Sequence, residues 1–152
     1  MSDQGLLLEP GAGVAETARG FGVTFKVGSD RARGASCLEL TFAPGVETGR
    51  HLHRRLEETF YVIDGEFTFE VGSESFRGLP GAYVFIPIGV PHAVSNASDG
   101  DARCLLIMSP PTHDGYFAEL VALLAQPGPP DAGQIAALRD RYDTEQISTM
   151  NA

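Results

Sequence analysis

Three of the four histidines and one glutamate have types and spacings that suit a metal ion. His51 and His53 are two apart, which on a strand puts both imidazoles on one face. Glu58 follows five residues later, an odd offset that a straight strand would turn to the wrong face. Arg54–Glu57 must therefore turn or bend before Glu58 opens the next strand, with Phe60 and Val62 on its own face. Glu57 is the competing carboxylate, and it would bring Thr59, Tyr61 and Ile63 inward instead. His92 follows the stiff approach Pro87–Pro91. Neutral imidazole and carboxylate suit one divalent transition metal: Fe, Ni, Mn, Co, Cu or Zn. Around an octahedral ion, four such ligands leave two positions for water, substrate or dioxygen.

Short strands must position these side chains. From Phe21 to Met108 brief apolar or alternating runs are separated by turn residues. The runs are Phe21–Val27, Cys37–Phe42, Thr59–Ile63, Glu66–Val71, Tyr83–Pro87, His92–Val94 and Arg103–Met108. Asp64-Gly65, Pro44-Gly45 and Pro80-Gly81 are turn signals between them. In Cys37–Phe42 the residues Leu38, Leu40 and Phe42 alternate with more polar neighbours, as do Phe67, Phe69 and Val71 further on; this is period two, with one face buried. Strands this short and this frequent predict an all-β barrel or sandwich. Residues 1–20, with Gly-rich Gly11–Gly20, read as a lead-in. Residues 21–110 read as the barrel, and 111–152 as a helical appendage packed on it. Gly115–Ala125 has helical spacing with Asp114 as N-cap. Asp131 with Gln134 resembles a capping box opening a second helix to about Tyr142. The last ten residues read as frayed.

The 152 residues suit one core, and 43% hydrophobic with 20% charged content is ordinary for a globular protein. A formal charge of −9 without a basic stripe argues against nucleic acid as partner and leaves a small molecule. Cys37 and Cys104 sit in apolar stretches and read as buried thiols. No apolar run approaches the ~18 residues that span a bilayer, and no positive region precedes Leu6–Leu8, so the default location is the cytoplasm.

Two stretches resemble the cupin family. Gly45 to Gly65 carries Gly, five residues, His-x-His, four residues, Glu, six residues, Gly. Gly81 to Asn96 carries Gly, five residues, Pro-x-Gly, two residues, His, three residues, Asn. Ten filled positions coincide by chance far less often than about one time in a million. The resemblance implies a small antiparallel cupin barrel of jelly-roll (double-stranded β-helix) type with two short C-terminal helices. It also implies a metal held by His51, His53, Glu58 and His92, Glu58 being favoured over Glu57 by the gap to Gly65. Asn96 is expected to be structural, and a homodimer is expected.

The layout also resembles bacterial quercetinase-type monocupins in a tail containing Pro110, Pro111, Gly115, Tyr116 and Phe117. That likeness implies a dioxygenase acting on an aromatic, polyphenolic or enol-type molecule. Glu58 would be both ligand and general base, its pKa raised by an apolar barrel. The alternatives are a non-redox isomerase, cyclase or lyase, and a non-catalytic small-molecule binder. The binder is disfavoured because no helix-turn-helix fits beside the barrel. Phe60, Val62, Phe67, Phe69, Phe85 and Ile107 are candidates for a substrate pocket, although core packing also accounts for them. Arg54 and Arg55 read as a solvated turn, His113 as an exposed loop residue, and the Tyr116–Leu124 stripe as packing or a dimer contact.

Overall fold

The computed structural model describes residues 4–152; the first three residues of the expected lead-in lie outside them. Among the described residues all seven apolar runs are strands, and four further strands join them. In chain order these are β1 (Val14–Ala18), β2 (Phe21–Val27), β3 (Ser36–Phe42), β4 (His51–Leu52), β5 (Glu57–Asp64), β6 (Phe67–Val71), β7 (Glu74–Gly78), β8 (Tyr83–Ile86), β9 (His92–Ser95) and β10 (Ala102–Ser109). Helices α1 (Asp114–Leu124) and α2 (Ala132–Arg141) follow, and then β11 (Glu145–Gln146).

The strands form two antiparallel sheets, ordered β1-β2-β3-β10-β5-β8 and β11-β4-β9-β6-β7. Period-two patterning builds the interior. β3 buries every second residue from Ser36 to Phe42, and β5 buries Glu58, Phe60 and Val62. The aromatic centre is continuous: Phe42 meets Phe21 at 5.5 Å between ring centroids and Phe67 at 5.4 Å. A turn with no room for a side chain returns β5 to β6. Gly65 has φ +70°, and a Cβ there would lie 2.3 Å from the Asp101 carbonyl oxygen.

Three expectations change. The 1–20 stretch contributes a paired strand, since Val14–Ala18 lie against Phe21–Phe25. Its exposed, Gly-flanked residues gave no apolar run to mark it. Asp114 is not the N-cap of α1 but its first-turn acid; His113 holds the N-cap position, and its side chain makes no capping bond. The last ten residues are not frayed. Glu145 and Gln146 pair with Leu52 and His51, and Ile147 N and Ser148 N both donate to the Arg50 carbonyl. Asn151 N donates to Glu47 O, and Glu47 N returns a bond to Asn151 O. These are backbone bonds, which any sequence can make, so polar side chains concealed them. Asp131 does cap α2, its Oδ1 accepting from Gly133 N and Gln134 N. Both cysteines are free thiols. Among the described residues no helix is long and apolar enough to cross a membrane.

Candidate metal centre

The two sheets bring the four expected residues together. His51 on β4 is in register with His92 on β9. His53 leaves the end of β4, and Glu58 enters from β5 after the bend at Arg54–Leu56. All four are buried, and one ligand atom from each lies within 4.8 Å of the others. Glu57, the rival carboxylate, faces solvent. The bend is clamped from the far end of the chain: the Asp143 carboxylate accepts from Arg54 N at 3.1 Å and Arg55 N at 2.8 Å. Both arginines sit in a solvated turn, as expected. Asn96 is structural, its amide donating to the carbonyls of Phe42 and Gly100.

Each imidazole is oriented by a backbone carbonyl. His51 Nδ1 donates to Gly49 O, His53 Nδ1 to Asp143 O and His92 Nδ1 to Val90 O, each at 2.9 Å. A carbonyl only accepts, so in every ring the proton is on Nδ1 and the Nε2 lone pair is left for the centre. Glu58 Oε2 lies 2.9 Å from His92 Nε2, and Oε1 lies 3.4 Å from His53 Nε2, which has no hydrogen-bond partner. Three nitrogen lone pairs and a carboxylate converging in a buried space form an arrangement of acceptors that suits a cation. The donor set fits a divalent transition metal, with imidazole and carboxylate ligands and each ring fixed by an outer hydrogen bond.

The electrostatics agree in part. Burial, with His92 and His53 nearby, holds His51 well below the ordinary imidazole range, so it stays a neutral ligand. Burial pulls His53 down too, but Glu58 more than offsets this and raises it. A proton and a metal ion thus compete for the same Nε2. For Glu58 the expected upward shift is corrected. Burial does push the carboxyl up, yet His53 and His92 outweigh it and hold the group well below the usual range.

The centre opens into a cavity with about 40 Å³ of free space. Of the six pocket candidates only Phe60 lines it. Val62, Phe67 and Phe69 are buried in the core away from it. Phe85 and Ile107 face outward, 45% and 36% exposed, because they pair with Thr59 on the outer register of β5. The C-terminal segment supplies much of the wall: His113, Tyr116, Phe117, Leu120, Arg139, Thr144 and Met150. His113 corrects the expectation of an exposed loop residue. It is 2% exposed, and burial, then the nearby His53, lowers its pKa to about 3. Arg139 and Thr144 were not anticipated. One signal for Arg139 was available: it lies four residues beyond Ile135, beside Leu138 three beyond, on the same helical stripe.

Residues 38–108 match the cupin domain family. Among curated proteins the chain is 31% identical over 72 residues to the HTH-type transcriptional regulator PuuR of Escherichia coli strain K12. The match covers 47% of this chain and 39% of that protein. A putative sugar phosphate isomerase from Acidithiobacillus ferrooxidans is 29% identical, with a TM-score of 0.51 over 59% of this chain and 60% of that one. The polyketide cyclase RemF from Streptomyces resistomycificus shares the fold, with a TM-score of 0.62 at 21% identity, covering 70% of this chain and 80% of that one.

Proposed function

We infer that this chain, which belongs to the cupin superfamily through residues 38–108, is a metal-dependent enzyme acting on a small enol-type molecule. The observation that carries this reading is the convergence of the three carbonyl-oriented imidazoles and Glu58 in one buried cavity. A divalent ion held there supplies Lewis acidity, polarising a substrate oxygen and acidifying the proton beside it. Glu58, a weak base in this setting, then suits a proton that has already been acidified. One of its oxygens serves as ligand, leaving the other to accept the proton. Phe60, Phe117 and Leu120 exclude water around it.

The reaction proposed first is dioxygenation, for which the tail at Pro110–Phe117 is the support. The free space bounds the substrate: at ~10–15 Å³ per water, about 40 Å³ suits a few heavy atoms. A polyphenol would need the C-terminal wall to part, so a small enol or enediol is the favoured form. A specific observation favours a second reading, a non-redox isomerase or cyclase, namely the likeness to the putative sugar phosphate isomerase.

The deciding experiment is elemental analysis of the untagged protein with oxygen uptake on a panel of enediols and flavonols. About one equivalent of Fe, Ni, Mn, Co or Cu with substrate-dependent uptake supports the dioxygenase. Zinc, or metal without uptake, transfers the proposal to the isomerase or cyclase. No metal after reconstitution leaves the non-catalytic binder.

We further propose a cytoplasmic homodimer. The outer face of β5, β8 and β10 exposes Tyr61, Tyr83, Phe85 and Ile107, a patch suited to a second copy. A light-scattering mass near the chain mass of 16.2 kDa would refute the dimer.

A further inference from the structure

Arg139 is 1% exposed, and among the described residues no carboxylate pairs with it. Its guanidinium is instead held by neutral acceptors. Nε donates to the Tyr116 hydroxyl at 3.2 Å, Nη1 to Gln146 Oε1 at 3.0 Å and Ser148 O at 3.4 Å, and Nη2 to Thr48 O. Four of its five N–H groups are thereby used and its charge is left unopposed. A buried, uncompensated cation is costly, and a negative charge received from outside would offset that cost.

Tyr116 extends the pattern. Its oxygen accepts from Arg139, so its own O–H must donate elsewhere, and among the described residues nothing accepts it. Beside it lies His113, 4.6 Å between ring centroids and tilted by 30°. His113 Nε2 lies 3.4 Å from Thr144 Oγ1, whose own proton goes to Tyr142 O. The Nε2 proton therefore points at Thr144, and Nδ1 is left as a buried, unpartnered acceptor. One donor, one acceptor and one cation thus line the cavity that holds the four metal-ligating side chains.

We propose that Tyr116, Arg139 and His113 form an oxyanion subsite, and that the ligand of this cavity is a small carboxylate or enolate of about four heavy atoms. The proposal rests on the metal reading above. A divalent ion beside Arg139, opposed by Glu58 alone, leaves the cavity with a net charge of about +2, which a bound oxyanion offsets. Tyr116 donates to the anionic oxygen while Arg139 holds the phenol in place and supplies the charge. His113 Nδ1 accepts from a neighbouring hydroxyl of the ligand. Metal and anion then assist each other's binding by the same factor.

The test uses the full chain loaded with Co²⁺ and titrated with acetate, with acetamide as its neutral match. Binding is read by calorimetry and by the cobalt visible spectrum. Acetate should bind at least tenfold more tightly than acetamide, and at least tenfold more tightly than to metal-free protein. Tyr116→Phe, which keeps the ring and removes only the hydroxyl, should weaken acetate about tenfold with cobalt content unchanged. Arg139→Gln should weaken it further, and Arg139→Lys should restore part of the loss. Because Arg139 also ties down Thr48 and Ser148, Tyr116→Phe carries the test if Arg139→Gln fails to fold. Cobalt uptake with no preference for acetate over acetamide, or with unchanged acetate affinity in Tyr116→Phe, would overturn the subsite and leave the metal site standing. No cobalt uptake by the unaltered protein would overturn both.

Discussion

The cavity has two walls of different origin. One comes from the barrel between His51 and His92, where strand register places three imidazoles and a carboxylate. The other comes from His113 to Met150, where two helices and a returning tail place Tyr116, Arg139, His113 and Thr144. The first wall is made of groups that suit a metal ion, its three imidazoles each oriented by a backbone carbonyl. The second is apolar, with a few polar atoms left over. On the proposals above, the ion belongs to the barrel wall and the choice of its ligand to the C-terminal segment. Substitutions in the first wall should therefore abolish metal binding, while those in the second should spare it.

The largest effect is expected at the ligands. Removing an outer hydrogen-bond partner of a metal ligand typically costs 10–100-fold in affinity, so removing the ligand costs more. His51→Ala and His92→Ala should each lower metal affinity by well over about a hundredfold while circular dichroism shows the barrel intact. Full metal occupancy in both would refute the assignment. Glu58→Gln should reduce turnover more than metal content if the carboxylate serves as base as well as ligand.

The second wall has its own signature in the pH dependence of stability. His113 is held down to about 3 by burial, against 6.5 when unfolded. Between those values the unfolded chain binds a proton that the folded chain refuses. The stabilisation is complete above pH 6.5 and is lost as pH falls toward 3. At about 1.4 kcal/mol per unit, the loss on going from pH 7 to pH 4 is roughly 3 kcal/mol. In the metal-free protein His113→Gln should reduce the loss between the two pH values by about that amount, read from urea unfolding, and leave the part that comes from His51, which burial also holds low. An unchanged slope would place the acid sensitivity in the ligand histidines instead.

The two walls were unequally legible, for a physical reason. His51, His53, Glu58 and His92 are positioned by short strands whose period and turns are local, so their spacing, taken with the resemblance to the cupin family, brought them to one place. Gly65 and the Pro87–Pro91 approach were readable for the same cause. His113, Arg139 and Thr144 come together only when α2 and the tail fold back on residues 47–54, and that docking uses backbone bonds, side-chain bonds to backbone such as Asp143 to Arg54 N and Arg139 to Thr48 O, and one close approach. Gly49 shows this: it has φ +70°, and a Cβ there would lie 2.4 Å from the Thr149 carbonyl oxygen. The residue falls among the five variable positions before His51, where nothing marks it. Phe85 and Ile107 were misplaced because an apolar residue on a strand does not show which face is covered.

Asp143 joins the walls, and its loss should have an intermediate effect. Its carboxylate caps Arg54 N and Arg55 N, and its carbonyl accepts from His53 Nδ1. Asp143→Ala should cost about 1–2 kcal/mol, as losing a side-chain cap of backbone N–H groups does. Metal affinity should fall by about tenfold, because the bend between His53 and Glu58 loosens while all four ligands remain. Asp143→Asn, which keeps one acceptor, should recover part of both. Unaltered metal affinity in Asp143→Ala would show that the bend is held by the barrel alone.

The smallest effect is expected at Arg54, although it too spans the two walls. Its guanidinium pairs with Glu145 on β11, Nε lying 3.0 Å from Oε2, and both side chains are more than half exposed. A surface pair of this kind contributes little, because water screens the charges and two long side chains must be immobilised. Arg54→Ala should therefore change unfolding free energy by less than about 0.5 kcal/mol, and any change should vanish in 1 M salt. The backbone N–H of the same residue remains bonded to Asp143, so the bend and metal affinity should be untouched. A loss in Arg54→Ala as large as in Asp143→Ala would mean that the walls are joined by charge rather than by the backbone cap. That result would also make ligand selection by the C-terminal wall sensitive to salt.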